Sequence, residues 1–392
     1  MATTKCLERL TANESLMTKK QGFATRAIHS ASPVDVGTGA VTPALHLSTT
    51  FERDADGAYP RGFSYSRSEN PNRQALEALL TELEGGQQAL AFASGMAAIN
   101  AILQALDPKD EIILADDLYH GTRRVVNDIY NGWGIQAQYL DTTDVPSLRE
   151  HLSERTRLLW LETPSNPLLK VSDIAEIAAI LPEHCLLVVD STWTTPYLQR
   201  PLELGADIVI HSTTKYLGGH SDILGGAAVF KEQGAFSERV ATIQKAAGAV
   251  ASPFDCWLLQ RSIKSLPYRM RGHCENAATL ADFLQQHPKI SKVHFPGLKD
   301  HPQHHIARRQ MSAFGGMLSI EVGESEADAM RCAARLEVFT RATSLGGIES
   351  LIEHRASIEG PDSSTPQNLL RVSVGLEDID DLIGDFEQAL AD

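Results

Sequence analysis

Two residues set the chemistry of this chain. Lys215 closes the run His211-Ser212-Thr213-Thr214-Lys215, and Asp190 stands twenty-five residues before it. Each follows a short apolar stretch: Cys185-Leu186-Leu187-Val188-Val189 leads into Asp190, and Ile208-Val209-Ile210 leads into His211. Such stretches read as buried strands. They place a carboxylate and a lysine at the C-terminal edge of neighbouring strands, which is what a pyridoxal phosphate site needs. The lysine forms the Schiff base, and the acid keeps the pyridinium nitrogen protonated so that the ring accepts electrons. Ser212 and Thr214 set hydroxyls beside the lysine, suited to a phosphate. A single lysine after a strand is usually only solvated. The pairing with Asp190 and the segments below lift this one out of that class.

Ala93-Ser94-Gly95-Met96-Ala97-Ala98 follows a strand and opens a helix. Small residues there admit a ligand close to the backbone, and the free amides of a helix start suit a phosphate. Taken singly, Gly95 and Met96 equally fit an ordinary tight turn. Asp117-Leu118-Tyr119-His120-Gly121-Thr122 ends the next strand. Tyr119 can stack on a planar ring and offer a phenol for proton transfer, or be a half-buried structural tyrosine. His120 reads as a solvent-facing loop residue. In Glu162-Thr163-Pro164-Ser165-Asn166-Pro167, Asn166 is held between prolines and can reach a ring oxygen, or sit in a plain turn. Arg67, in Tyr65-Ser66-Arg67, suits a phosphate or solvent. Its segment precedes the sheet, so it can reach a neighbouring subunit's site. Arg371 lies inside an apolar strand, where a guanidinium needs an anion. A substrate α-carboxylate and a structural salt bridge both supply one.

The elements that position these residues alternate. Strands are expected at Ala89–Ala93, Glu111–Ala115, Ala137–Leu140, Arg157–Glu162, Cys185–Asp190, Asp207–His211 and Gly225–Phe230, with helices such as Gln74–Leu83 and Asp173–Leu181 among them. That rhythm predicts an α/β fold with a seven-stranded, mostly parallel sheet covered on both faces, and ligands at the carboxyl ends of the strands. After Phe230 a long helix over about Asp255–Gln286 leads into a smaller C-terminal α+β domain. Its strands are expected at Lys292–Phe295, Met317–Val322 and Leu369–Val374, and its helices at Ala327–Leu336 and Asp378–Ala391. The division expected is an N-terminal arm over 1–65, a large cofactor-binding domain over 66–255 and a C-terminal domain over 256–392.

Composition bounds the rest. The 392 residues suffice for two or three domains, and 43% hydrophobic with 22% charged residues is globular. The formal charge of −15 argues against nucleic acid or an anionic membrane as partner. Cys6, Cys185, Cys256, Cys274 and Cys332 are scattered, without C-x-x-C spacing. They read as reduced thiols in the cytoplasm and not as metal ligands. The polar stretch Met1 to Gln21 has no apolar core of a secretory signal, and no segment has transmembrane length.

Together these motifs, in order from about Phe23 to the C-terminus, resemble the Cys/Met metabolism branch of pyridoxal-phosphate enzymes. The resemblance implies a fold-type-I transferase subunit in a homotetramer, a dimer of dimers. It implies Lys215 as Schiff-base lysine and Cα base, Asp190 at the pyridinium nitrogen and Tyr119 stacked on the ring. Gly95, Met96, Ser212 and Thr214 would hold the phosphate from one subunit, and Tyr65 and Arg67 from the other. Asn166 would touch the ring hydroxyl or the substrate carboxylate, and Ser344 and Arg371 would hold that carboxylate. Some positions depart from the family pattern. Ser64 and Thr343 stand where cystathionine-handling members usually carry acids that face the distal ammonium. Gly121 replaces the cysteine usual in methionine γ-lyases. The insertion usual in the sulfhydrylases is missing. Glu353-His354-Arg355-Ala356-Ser357-Ile358-Glu359-Gly360 lacks the family's proline and Thr-His.

The reaction expected is γ-replacement or γ-elimination on a sulfur-containing or O-acylated homoserine-type amino acid, that is, trans-sulfuration chemistry. Methionine γ-lyase, β-lyase and O-acylhomoserine sulfhydrylase activities are the alternatives within the family. A protein of another class, keeping fold and cofactor for regulation alone, has no need of an intact Lys215, Asp190, Tyr119 and Arg371.

Overall fold

The computed structural model describes residues 21–359 and 365–391. Cys6, with the rest of the stretch 1–20, and Gly360 lie outside the described residues. The seven strands expected of the large sheet are present: β1 (Gln88–Phe92), β2 (Glu111–Ala115), β3 (Gln136–Leu140), β4 (Thr156–Glu162), β5 (Leu186–Asp190), β6 (Ile208–Ser212) and β7 (Gly226–Phe230). They pair in the order β1-β7-β6-β5-β4-β2-β3. Only β7 runs antiparallel to its neighbours β1 and β6. The cause lies in the connections. Helical segments return the chain to the starting edge between β2 and β6, which makes those strands parallel. The loop 213–225 has no helix to make that crossover, so the chain reverses.

Helices cover both faces. Leu159, Leu161, Val189 and Val209 pack with Leu76, Leu79 and Leu80 of the helix Pro71–Glu84. Leu158, Trp160, Val188 and Ile210 pack with Ile99 and Ile102 of the helix Gly95–Gln104. Strands buried on two faces must be apolar throughout, which is why they read as unbroken runs.

The smaller sheet has five strands, in the order β10-β11-β12-β9-β8. They are β8 (Ile290–His294), β9 (Met317–Val322), β10 (Thr340–Arg341), β11 (Leu351–His354) and β12 (Leu369–Ser373). β8, β9 and β12 match expectation within a few residues, while β10 and β11 were not foreseen. β10 has only two residues, and β11 ends in the buried polar pair Glu353-His354, which hides its strand pattern.

The single helix expected over Asp255–Gln286 is in fact two, Pro253–Ile263 and Leu266–Gln285. Pro267 sits in the first turn of the second, where its missing amide costs nothing, and so marks a new start. The arm over 21–65 is largely irregular as expected, but it contains the helix Phe23–His29, anchored by the fully buried Ala27. Among the described residues no helix is long and apolar enough to cross a membrane.

The loop carrying Lys215 is held from below by Arg269, on the helix Leu266–Gln285. Its guanidinium donates to the carbonyl oxygens of Tyr216 (2.6 Å), Ser262 (3.1 Å) and Leu217 (3.4 Å). Gly219 closes over the same group with φ +70°, and a Cβ there would overlap the guanidinium. Burial pulls the Arg269 pKa down to about 10, still far above neutrality, so the cation persists. Arg269→Met should leave these carbonyls without their donor and lower stability by roughly 2–4 kcal/mol. Urea unfolding checks this; an unchanged midpoint would mean that the loop is held by other means.

Candidate active site

A cavity of about 190 Å³ opens at the carboxyl ends of β4, β5 and β6. It is lined by Gly95, Met96, Tyr119, Asn166, Asp190, Ser212, Thr214, Lys215, Ser344 and Arg371. Segments far apart in sequence are thus gathered at one sheet edge. Tyr65 and Arg67 are not among the lining residues. Tyr65 is 48% exposed, and Arg67 donates to the Lys245 carbonyl at 2.6 Å. A larger cleft, about 520 Å³, lies over β8 beside Lys170, Lys292 and His294, and none of the expected site residues line it.

On one wall, Ser94 caps the helix Gly95–Gln104, its hydroxyl accepting from the Ala97 amide at 3.1 Å. A Cβ at Gly95 would come within 3.0 Å of Ser212. That bare backbone, the first-turn amides and the Ser212 hydroxyl can cradle an anion, with Thr214 beside them donating to the Gly225 carbonyl at 3.3 Å and accepting from its amide at 3.0 Å.

The floor is acidic. Asp190 ends β5, and its Oδ1 accepts from the Thr192 hydroxyl (2.6 Å) and amide (3.1 Å). The same hydroxyl accepts from the Ser212 amide at 2.9 Å, so one threonine ties β6 to the acid. Glu162 sits opposite Asp190 in the β4–β5 register and accepts from the Tyr119 amide at 2.5 Å. Burial, and then the Asp190 charge beside it, raise the Glu162 pKa well above the usual carboxylate range. Burial also raises Asp190, against the opposing Thr192 hydrogen bonds. A cation over the cavity is what would keep Asp190 ionised.

Lys215 hangs from the loop after β6. Its Nζ donates to Ser344 Oγ at 2.7 Å. Ser344 adopts φ +90°, a left-handed backbone that is costly for a serine and aims the hydroxyl at the amine. Burial first, then the nearby Arg371 charge, bring Lys215 down to about 8. The amine is therefore substantially neutral slightly above physiological pH.

Arg371, on β12, is buried and donates to Asn166 Oδ1 (3.1 Å), the Ser344 carbonyl (3.0 Å) and Glu353 Oε2 (2.8 Å). It makes a structural salt bridge and also faces the cavity. Tyr119 packs edge-on to His120 with ring centroids 4.8 Å apart. Burial raises its phenol, so it stays protonated. A side chain at Gly121 would run into the Tyr119 ring where it now lies.

The sequence assigns no role to Glu162 or Thr192, and it marks Arg355 only as a departure from the family pattern, yet all three line the cavity. Glu162 ends a strand as Asp190 does, and that parallel was a readable signal. His120, read as solvent-facing, lines the cavity beside Arg355.

The donor set suits pyridoxal phosphate: an anion cradle without Cβ, a lysine of lowered pKa, and a buried carboxylate that calls for a cation. Fold and site together define a pyridoxal-phosphate-dependent enzyme with the large and small sheets of the fold-type-I transferases. A model of the Cys/Met metabolism PLP-dependent enzyme family matches residues 24–391, and the chain belongs to that family. It is 47% identical over 376 residues to cystathionine gamma-synthase of Mycobacterium tuberculosis, covering 94% of this chain and 97% of that protein. It is 44% identical over 393 residues to cystathionine beta-lyase of Coxiella burnetii, covering 97% and 100%. The structure of cystathionine gamma-lyase from Lactobacillus plantarum, complexed with L-serine, superposes with TM-score 0.90 at 39% identity, covering 94% and 98% of the two chains.

Glu162 gives a pH prediction. An acid whose pKa is raised by folding binds more protons folded than unfolded, so its contribution turns against the fold as pH rises above the unfolded value near 4.5. Glu162→Gln keeps the acceptor for the Tyr119 amide and removes that cost. Thermal midpoints of the cofactor-free proteins from pH 5 to 8 should diverge, with the variant gaining on the parent as pH rises. A constant difference would show that Glu162 is ionised throughout.

Proposed function

We propose that the protein acts at the side chain of a γ-substituted α-amino acid, by γ-replacement or γ-elimination on a sulfur-containing or O-acylated homoserine-type substrate. The carrying observation is the position of Lys215. Its amine lies in one cavity with Asp190 and Arg371 and is aimed by Ser344 at 2.7 Å. The reactions named for the relatives, on the γ and β sides of cystathionine, fit the same arrangement.

In this reading Gly95, Met96, Ser212 and Thr214 hold the cofactor phosphate, Asp190 faces the ring nitrogen and Tyr119 covers the ring. Pyridoxal phosphate, when bound, supplies the electron sink that lets protons leave Cα and Cβ. Arg371 and Asn166 hold the α-carboxylate and so fix which Cα bond faces Lys215. Lys215 Nζ, with its pKa near 8, takes the Cα proton and then serves the adjacent Cβ. Ser344 holds the amine between these tasks. The Tyr119 phenol, kept protonated by burial, can donate to the departing γ-group. An incoming thiol takes the place of the departed γ-group and gives a thioether; without one, hydrolysis by water gives a ketoacid and ammonia besides the released γ-group.

We also propose a homotetramer, a dimer of dimers, in the cytoplasm, acting on small amino acids. Tyr65 and Arg67 stand off their own cavity, and Val36, Val41 and Leu47 of the arm are 87%, 77% and 65% exposed. An apolar arm of this kind favours a second subunit, with Tyr65 and Arg67 reaching the phosphate there. Cys185, Cys256, Cys274 and Cys332 are unpaired, as suits a reducing compartment.

A product assay tests the reaction. Cystathionine, methionine, cysteine and O-acylhomoserine are supplied with and without a thiol, and ketoacid, released thiol and thioether are measured. Thioether formed from O-acylhomoserine, or ketoacid from methionine or O-acylhomoserine, which carry only a γ-leaving group, is expected. Turnover of cysteine alone would instead place the chemistry at Cβ. Lys215→Ala should abolish turnover with the fold intact, and near-normal catalysis in this variant would end the mechanism. Mixing inactive Arg67→Ala and Lys215→Ala subunits should restore part of the activity, because some mixed sites then carry both residues. No recovery despite proven subunit exchange would contradict a shared site.

A further inference from the structure

Arg355 stands in the cavity wall, and the reaction just described gives it no task. Its Nη1 donates to Glu353 Oε2 at 2.8 Å, and Arg371 Nη2 donates to that same oxygen at 2.8 Å. One carboxylate oxygen therefore bridges two guanidinium groups. The side chains of Arg355, Arg371 and Glu353 are only 2%, 5% and 7% exposed. The far edge of Arg355 is occupied separately: its Nε and Nη2 donate to Glu359 Oε1 at 3.1 and 2.8 Å, and Nη2 meets His120 Nδ1 at 3.5 Å. Glu359 thus holds Arg355 from outside and leaves the Nη1 edge to Glu353.

Consider Arg371 without this neighbour. Glu353 would be its private counter-ion, and a buried one-to-one ion pair has little left to attract a second anion. An incoming carboxylate would have to displace Glu353 or lie beside it at like charge. With Arg355 in place the negative charge is divided. Arg371 keeps part of its charge, while its other donors are steadied by Asn166 and the Ser344 carbonyl.

We propose that Arg355 is a positioning residue that shares Glu353 with Arg371, and so keeps Arg371 competent to bind the α-carboxylate of an amino acid. The inference rests on the reading of Arg371 as the α-carboxylate anchor. Arg355 touches neither substrate nor cofactor in this scheme and acts through Glu353.

The test uses holoenzyme titrated with glycine, which carries an α-carboxylate and no side chain, and with methylamine, which lacks the carboxylate. Binding is read from the visible absorption of the cofactor. Arg355→Met should weaken glycine about tenfold to a hundredfold, the worth of one charge-assisted contact, and leave methylamine unchanged. Adding Glu353→Gln to that variant removes the competing anion and should recover most of the lost affinity, a rescue that damage to the fold would not allow. Unchanged glycine affinity in Arg355→Met, or no recovery in the double variant, overturns the proposal. Arg355→Gln carries the same expectation if the methionine variant is insoluble. Arg371→Met separates the two readings: it should erase the preference for glycine over methylamine. If that preference survives, Arg371 is not the anchor, whatever Arg355 does.

Discussion

The hydrogen bond from Lys215 Nζ to Ser344 Oγ joins the two sheets inside the cavity. The lysine is delivered by the loop after β6 of the large sheet, and the serine by the segment between β10 and β11 of the small one. Neither sheet alone can aim the amine. The bond also forms where water is scarce, which is why the amine is easier to deprotonate than a surface lysine. Around it the structure makes local concessions: a left-handed serine, a glycine pressed against Arg269, and two acids raised by burial. Sites of this kind gather strain that the surrounding packing must sustain.

The electrostatic plan follows from burial more than from net charge. The chain as a whole is acidic, yet the cavity sets Lys215, Arg355 and Arg371 against Asp190 and Glu162, with Glu353 behind the two arginines, each desolvated and each answered by a specific partner. Glu162 is answered by the Tyr119 amide, Asp190 by Thr192, and Glu353 by two guanidinium groups at once.

The large sheet was legible because its strands are buried on both faces and leave uninterrupted apolar runs such as Leu158-Leu159-Trp160-Leu161. Asp190 and Lys215 were legible because charge directly after such a run stands out. β11 was not, because it carries Glu353 and His354 into the interior, and polar residues in a strand look like a loop until their partners are known. Arg355 stands out in the sequence only as a departure, and its partners are hidden for the same reason: its worth lies in Glu353 and Glu359, and only the fold makes the first of these common property with Arg371. The break before Leu266 was written in Pro267 but lay inside one continuous helical periodicity.

The reversal between β6 and β7 has a consequence for how such a chain can diverge. Loops are normally where insertions accumulate. The segment bearing Lys215 is pinned at both ends by a ladder running from Ile208↔Phe230 to Ser212↔Gly226, and Arg269 fastens its middle. One added residue would have to shift that register, turning side chains to the wrong face, or tear the carbonyls from the guanidinium. A change of length is thereby costly on either side of the Lys215 amine, although the segment is formally a loop.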